Sequence, residues 1–216
     1  RGRRGTHVSP TLPVPTRRAL PLPEGVRDLS AGNPDPALLP ALGPALRKLA
    51  PPRRLYGEAL KDPGLVALAS RQLRTDGAPC DHLTVTSGAL DGLERALAAH
   101  LRAGDRVAVE DPAFSGVLAL LQPLGLTPVP VEIDASGLRP EALDRALAAG
   151  ATALIATPRA QNPTGAAFDT ERVAALSAVL DAHPEVSVIM WSWCYGADTS
   201  PANIDLYLKL MSGLEK

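Results

Sequence analysis

Three short segments carry residue types suited to holding a small anionic ligand. Thr84-Val85-Thr86-Ser87-Gly88-Ala89-Leu90 combines an extended run, a turn of small residues and a helix start. Backbone N–H groups at a helix start lack intrahelical partners and carry partial positive charge. Small residues let a phosphate approach them. The same residues also suit an ordinary helix capped by Ser87. Glu110-Asp111-Pro112-Ala113-Phe114-Ser115-Gly116 follows the next extended run, where Phe114 alone suits a core position. Ala160-Gln161-Asn162-Pro163-Thr164-Gly165 lies between the apolar run 153–156 and a helical segment starting near Asp169. Pro163 and Gly165 shape a turn that aims Asn162, and in isolation that motif is only a turn.

The elements that must position these segments read as an alternation. Residues 83–86, 106–110, 126–133, 153–156 and 186–190 have the character of strands. Between them lie helical stripes: Leu90, Leu93, Leu97 and Leu101; then about 114–121; then Ala142, Leu143, Ala146 and Leu147; then Val173, Leu176 and Leu180. Asp169 or Thr170 would cap the last of these. Leu38, Leu42, Leu46 and Leu49 also recur at helical spacing, weakened by Pro40 and Pro44. The expected fold class is α/β: three layers, α-β-α, with a mostly parallel sheet covered on both faces. Ligands in such folds sit outside the carboxyl ends of the strands, where the three segments fall.

Composition narrows the function classes. Of the 216 residues, 45% are apolar, enough for a core, but only 3% are aromatic, so Leu, Val and Ala must fill it. A net charge of −1 gives no global attraction to nucleic acid or membrane. No apolar stretch would span a bilayer and no signal peptide opens the chain. Cys80 and Cys194 lack metal-ligand spacing and are too few for a disulfide scaffold. The expectation is a cytoplasmic protein with reduced, structural thiols. Opening on Arg1, the chain reads as a fragment or processed product. Residues 1–9 are basic and Gly-punctuated, and 10–27 form a proline-rich linker. Composition changes abruptly near residue 190: both Trp, both Met, Tyr195 and Tyr207 lie beyond 189, and the last Arg is Arg172. The tail 190–216 reads as a junction with foreign sequence or as an aromatic-rich edge segment.

Together these segments resemble the fold type I pyridoxal-phosphate (PLP) enzymes of the aspartate aminotransferase superfamily, over about residues 1–189. The resemblance is nearest to the MocR branch of the GntR-type regulators. These join a winged helix-turn-helix domain to an aminotransferase-like domain through a linker. Residues 1–9 look like the closing wing of such a DNA-binding domain, and residues 28–189 like part of the PLP domain. The resemblance implies that Ser87, Gly88, Ala89 and Leu90 hold the cofactor phosphate. It implies that Phe114 stacks on the ring and that Asn162 hydrogen-bonds the ring hydroxyl oxygen. Tyr56 of Leu55-Tyr56-Gly57 would reach the cofactor phosphate of a homodimer partner. Gly32 and Asn33 would border the substrate carboxylate. An amino acid or amine effector and DNA, through a missing winged-helix domain, are the implied partners of the intact parent.

Two departures set the expected activity. The strand 188–193 runs Val-Ile-Met-Trp-Ser-Trp, so Trp191 stands where the family has an Asp that pairs with the pyridinium nitrogen. The four lysines, Lys48, Lys61, Lys209 and Lys216, lack the Ser-x-Ser-Lys setting of the Schiff-base lysine. The chain is therefore expected to be a PLP-binding effector fragment without transaminase activity. A fragment of a stand-alone class I/II aminotransferase and a non-functional interaction remnant are the alternatives.

Overall fold

The structure, a computed structural model, describes residues 23–26, 35–50, 53, 55–58, 61–75 and 80–191. The wing-like residues 1–9, most of the linker, Gly32, Asn33, Cys194 and residues 192–216 lie outside them. The chain divides into two compact units, Thr16–Leu60 and the remainder.

In the smaller unit the predicted leucine stripe is not one helix. A 3-10 turn at Pro36–Leu38 is followed by α1 (Leu42–Arg47). Pro40 and Pro44 explain the break and the short length: proline fixes φ and donates no N–H. Leu38, Leu42, Leu46 and Leu49 are all exposed.

The larger unit begins with α2 (Pro63–Thr75). Asp62 accepts the Leu65 N–H at 2.9 Å, and Pro63 starts the helix where its missing N–H costs nothing. Then come α3 (Ala89–His100), β1 (Arg106–Asp111), α4 (Ser115–Leu121), β2 (Thr127–Asp134), β3 (Gly137–Leu138), α5 (Pro140–Ala148), β4 (Ala153–Ala156), α6 (Thr170–Asp181) and β5 (Ser187–Met190). The sheet order is β3-β2-β1-β4-β5. β1 runs parallel to both β2 and β4, and β4 parallel to β5. Among the described strands only the two-residue β3 is antiparallel, folding back on β2 at Asp134 and Gly137.

Strand alternation assigns the two faces. Val107, Val109, Ala153 and Ile155 join Leu93 and Leu97 of α3 and Val117 and Leu121 of α4 in one core. Ala108, Leu154 and Ala156 join α5 and α6 in the other. β1 and β4 are thus buried on both sides, the condition for continuous apolar runs. Among the described residues β2 is covered on one side only: Val129 and Val131 are buried, whereas Pro128, Pro130 and Glu132 are exposed.

Two local expectations are corrected. Residues 83–86 form no strand. A four-residue run becomes a strand only when a neighbour hydrogen-bonds it, and no described strand does so. Ser87 does not cap α3. Gly88 occupies the N-cap with φ 129°, a conformation that favours glycine, and no side chain caps there.

Candidate functional site at the carboxyl edge of the sheet

After β1 the chain passes through α4 to β2 on one side. After β3 it passes through α5, on the opposite face, to β4 on the other side. The crevice outside the carboxyl ends of β1 and β4 is therefore the point where the winding direction switches, the usual ligand position of an open α/β sheet. Phe114 follows β1 there, and Asn162 follows β4. Residues 102–105 return α3 into the amino end of β1, so α3 runs back over the sheet. Its 12 residues span about 18 Å, close to the length of β1, which sets Ser87–Leu90 near the same edge.

A buried polar cluster ties the β1 and β4 ends together. Glu110, Thr157 and Gln161 are only 5%, 2% and 2% exposed. The paired ladder ends at Val109 and Ile155, and the Thr157 N–H beyond it donates to Glu110 Oε1 at 2.9 Å. Gln161 Nε2 donates to Glu110 Oε2 at 3.3 Å and to the Pro112 carbonyl at 2.8 Å. Gln161 Oε1 accepts the Thr164 N–H at 3.1 Å and the Thr164 hydroxyl at 2.7 Å. Burial pushes the Glu110 carboxyl above its ordinary value, against the lowering effect of these donors.

The turn that carries Asn162 is closed on itself. Gln161 N–H donates to Ala166 O, Gly165 N–H to Gln161 O and Phe168 N–H to Pro158 O. Ala160 takes φ 50°, a left-handed conformation costing a non-glycine residue about 1–2 kcal/mol. Asn162 is exposed. The Asp111–Pro112 and Asn162–Pro163 peptide bonds are both cis.

At the start of α3, residues 87–90 are exposed, and a Cβ at Gly88 would meet nothing within 4 Å. Access for an anion is open. One donor is already engaged: Ser87 N–H donates to Asp91 Oδ2 at 2.8 Å, and Arg95 Nε donates to Asp91 Oδ1 at 2.8 Å. The Ser87 hydrogen bond is the main reason the Asp91 carboxyl lies below its ordinary range.

Phe114 is half-buried and its ring contacts the indole of Trp191, which is 8% exposed and belongs to the α3–α4 core. The structure thus brings Phe114, the Asn162 turn and the α3 start to one edge of the sheet. Tyr56 lies in the other unit, fully exposed, and Gly32 and Asn33 lie outside the described residues. Glu110, Thr157 and Gln161 carry no role in the sequence reading. Their signal was phase: alternation from Ala108 points Glu110 toward a core.

The family model for aminotransferase class I and II matches residues 25–190, and the chain belongs to that family. It is 46% identical over 165 residues to the vitamin B6 salvage pathway transcriptional repressor PtsJ of Salmonella typhimurium, spanning 76% of this chain and 38% of that one. It is 33% identical over 193 residues to the HTH-type pyridoxine biosynthesis transcriptional regulator PdxR of Corynebacterium glutamicum, covering 83% and 41%. The expected resemblance to regulators is thus matched by two of them, and the chain spans less than half the length of either. Among solved structures, an aspartate aminotransferase from Rhodobacter sphaeroides superposes with a TM-score of 0.52 at 28% identity, covering 59% of this chain and 35% of that one. The Pyrococcus horikoshii kynurenine aminotransferase, 20% identical, superposes with a TM-score of 0.59 over 69% and 40% and shares the fold. The family implies PLP as cofactor. Among the described residues no helix is long and apolar enough to cross a membrane.

The residues fit that cofactor unevenly. The open start of α3 suits a phosphate, with Asp91 competing for one donor. Asn162, exposed on a closed turn, suits a polar ring substituent. Trp191 does not fit the pyridinium end, because an indole N–H donates and cannot accept from a protonated ring nitrogen.

Proposed function

We propose that this chain is part of the effector-sensing domain of a PLP-binding transcriptional regulator, and that its role is recognition rather than transamination. The convergence of Phe114, the Asn162 turn and the α3 start on the switch-point edge carries the reading. Bound there, PLP would supply an electron-withdrawing ring and an aldehyde reactive toward amines. The residues 87–90 would hold the phosphate through backbone N–H groups. Phe114 would cover a ring face, and Asn162 would donate to the ring hydroxyl oxygen. None of the four lysines of these 216 residues stands in a Ser-x-Ser-Lys setting, so the contacts assigned here are those to the phosphate and the ring.

Vitamin B6 salvage in the name of one regulator and pyridoxine biosynthesis in that of the other favour a B6 vitamer as the ligand sensed by the parent, over an amino acid or amine. In that parent, residues 1–9 close a winged-helix DNA-binding domain, residues 10–27 are the linker and residues 28–189 belong to the PLP domain. A homodimer would bring Tyr56 of one copy to the site of the other, and Gly32 and Asn33 would border the substrate side. Sequencing the source gene upstream of Arg1 tests the regulator half of the proposal. A winged helix-turn-helix reading frame joined to this chain is expected. A start codon close to Arg1 would overturn it in favour of a stand-alone aminotransferase fragment.

A further inference from the structure

We infer that Gln161 is a positioning residue that holds the Asn162 turn against the Phe114 loop, with Glu110 as its fixed anchor. The inference rests on the recognition reading above for the identity of the ligand, a phosphorylated pyridine ring. Its own support is geometric. The Gln161 amide nitrogen spends both hydrogens across the crevice, on Glu110 Oε2 and Pro112 O. Its oxygen accepts twice from Thr164, two residues beyond Asn162. A buried amide satisfied on both atoms has one orientation, because a flip would set donor against donor at Thr164 and leave Glu110 facing an acceptor. Pro112 lies two residues before Phe114, so one side chain fixes both loops. Glu110 is anchored independently by Thr157 N–H at the end of the sheet.

The donor–acceptor order makes a specific test possible. In Glu110→Gln the remaining oxygen can keep the Thr157 N–H, and the new NH2 then faces the Gln161 amide nitrogen, donor against donor. In Gln161→Glu two carboxylates face each other. In the double variant the order is reversed but complementary: residue 110 donates to residue 161, and residue 161 still accepts from Thr164. Only the Pro112 carbonyl loses its donor.

The full chain and the variants Gln161→Leu, Glu110→Gln, Gln161→Glu and the double swap would be compared by amide hydrogen exchange over residues 157–167. Their affinity for 4′-deoxypyridoxine 5′-phosphate, which has the phosphate and ring but no aldehyde, would also be measured. Each single variant is expected to speed exchange at Thr164 and Gly165 and to weaken the ligand about tenfold, the equivalent of roughly one lost buried hydrogen bond. The double swap is expected to recover part of both. Unchanged exchange in Gln161→Leu would overturn the inference. So would a double swap that recovers exchange but binds no better than the single variants, since that is a structural brace without a positioning role. Should Gln161→Leu fail to fold, non-additivity between the two polar singles and the double decides the point. A parent chain that binds no ligand removes the recognition reading, while the exchange pattern still shows whether Gln161 fixes the two loops.

Discussion

The ring of Phe114 lies against the indole of Trp191, with centroids 5.7 Å apart and planes inclined by 38°. A tilted aromatic pair at this separation is a favourable geometry. It joins the start of α4 to the end of β5 at the same edge where the polar cluster joins β1 to β4. Trp191 is a packing residue of the α3–α4 core. Trp191→Ala is expected to cost about 3–5 kcal/mol of stability, the range for deleting a large buried aromatic. A shift of the urea midpoint worth under 1 kcal/mol would show that the indole does not hold β5 in place.

Two glycine substitutions should separate a flexible neighbour from a rigid one. A Cβ at Gly116 would collide with the Phe114 ring edge, and one at Gly137 with the ring of Phe168. Gly137 also takes φ +85°, and Phe168 is buried in the α5–α6 core, whereas Phe114 is half-buried. Gly137→Ala should cost about 2 kcal/mol or more. Gly116→Ala should cost less but shift the emission of Trp191 by moving Phe114. Equal denaturation midpoints for the two variants would contradict this difference.

The pH dependence of stability should carry two slopes of opposite origin. The Arg172 guanidinium donates to both oxygens of Asp134 and to the Gly137 and Leu138 carbonyls. Arg172 N–H and Ser136 Oγ–H donate to Asp169. These bonds hold the Asp134 and Asp169 carboxyls below their ordinary values. Their stabilisation is present above the ordinary carboxylate pKa and is lost as pH falls through the lower folded values. Glu110 is raised by burial, so between its ordinary and folded pKa the folded state keeps a proton that the unfolded state has released. Stability therefore falls as pH rises through that window. Arg172→Met should flatten the acid limb, and Glu110→Gln should remove the second slope whatever its effect on overall stability. Denaturant titrations from pH 3 to 8 (about the range where carboxyls titrate) would show whether either variant leaves its slope unchanged, contrary to this assignment.

Much of this architecture was legible. Val107 and Val109 against Ala108, and Leu154 against Ile155, announce strands buried on both faces. Asp169 with Val173, Leu176 and Leu180 announces α6, and Asp169 does accept the Arg172 N–H. Residues 83–86 misled because strand character depends on a partner that local sequence does not contain. α2 escaped notice although Asp62-Pro63 is a good helix start, because Leu65 and Leu68 are exposed and no core stripe marks the segment. The candidate site residues Ser87–Leu90, Phe114 and Asn162 were visible as motifs. The groups that aim them were not: Glu110 and Gln161 meet across 51 positions, and only the β1–β4 pairing brings them together.

Asp91 gives a prediction specific to the phosphate end. Its carboxylate holds the Ser87 N–H and sits in the first turn of α3. Asp91→Asn removes a negative charge that repels an incoming phosphate, and should tighten 4′-deoxypyridoxine 5′-phosphate several-fold. Unphosphorylated 4′-deoxypyridoxine should bind no better than before. An equal gain for both ligands would place the effect away from the phosphate.

The proposed site at the carboxyl edge of the sheet recognises a B6 phosphate through its phosphate and ring. The most direct measurement is calorimetric titration of the 216-residue chain with 4′-deoxypyridoxine 5′-phosphate, repeated with Asn162→Ala. Saturable one-site binding is expected, weakened about tenfold in the variant, the equivalent of one ring-directed hydrogen bond. Absence of binding at millimolar ligand, or binding unaffected by loss of Asn162, would contradict it.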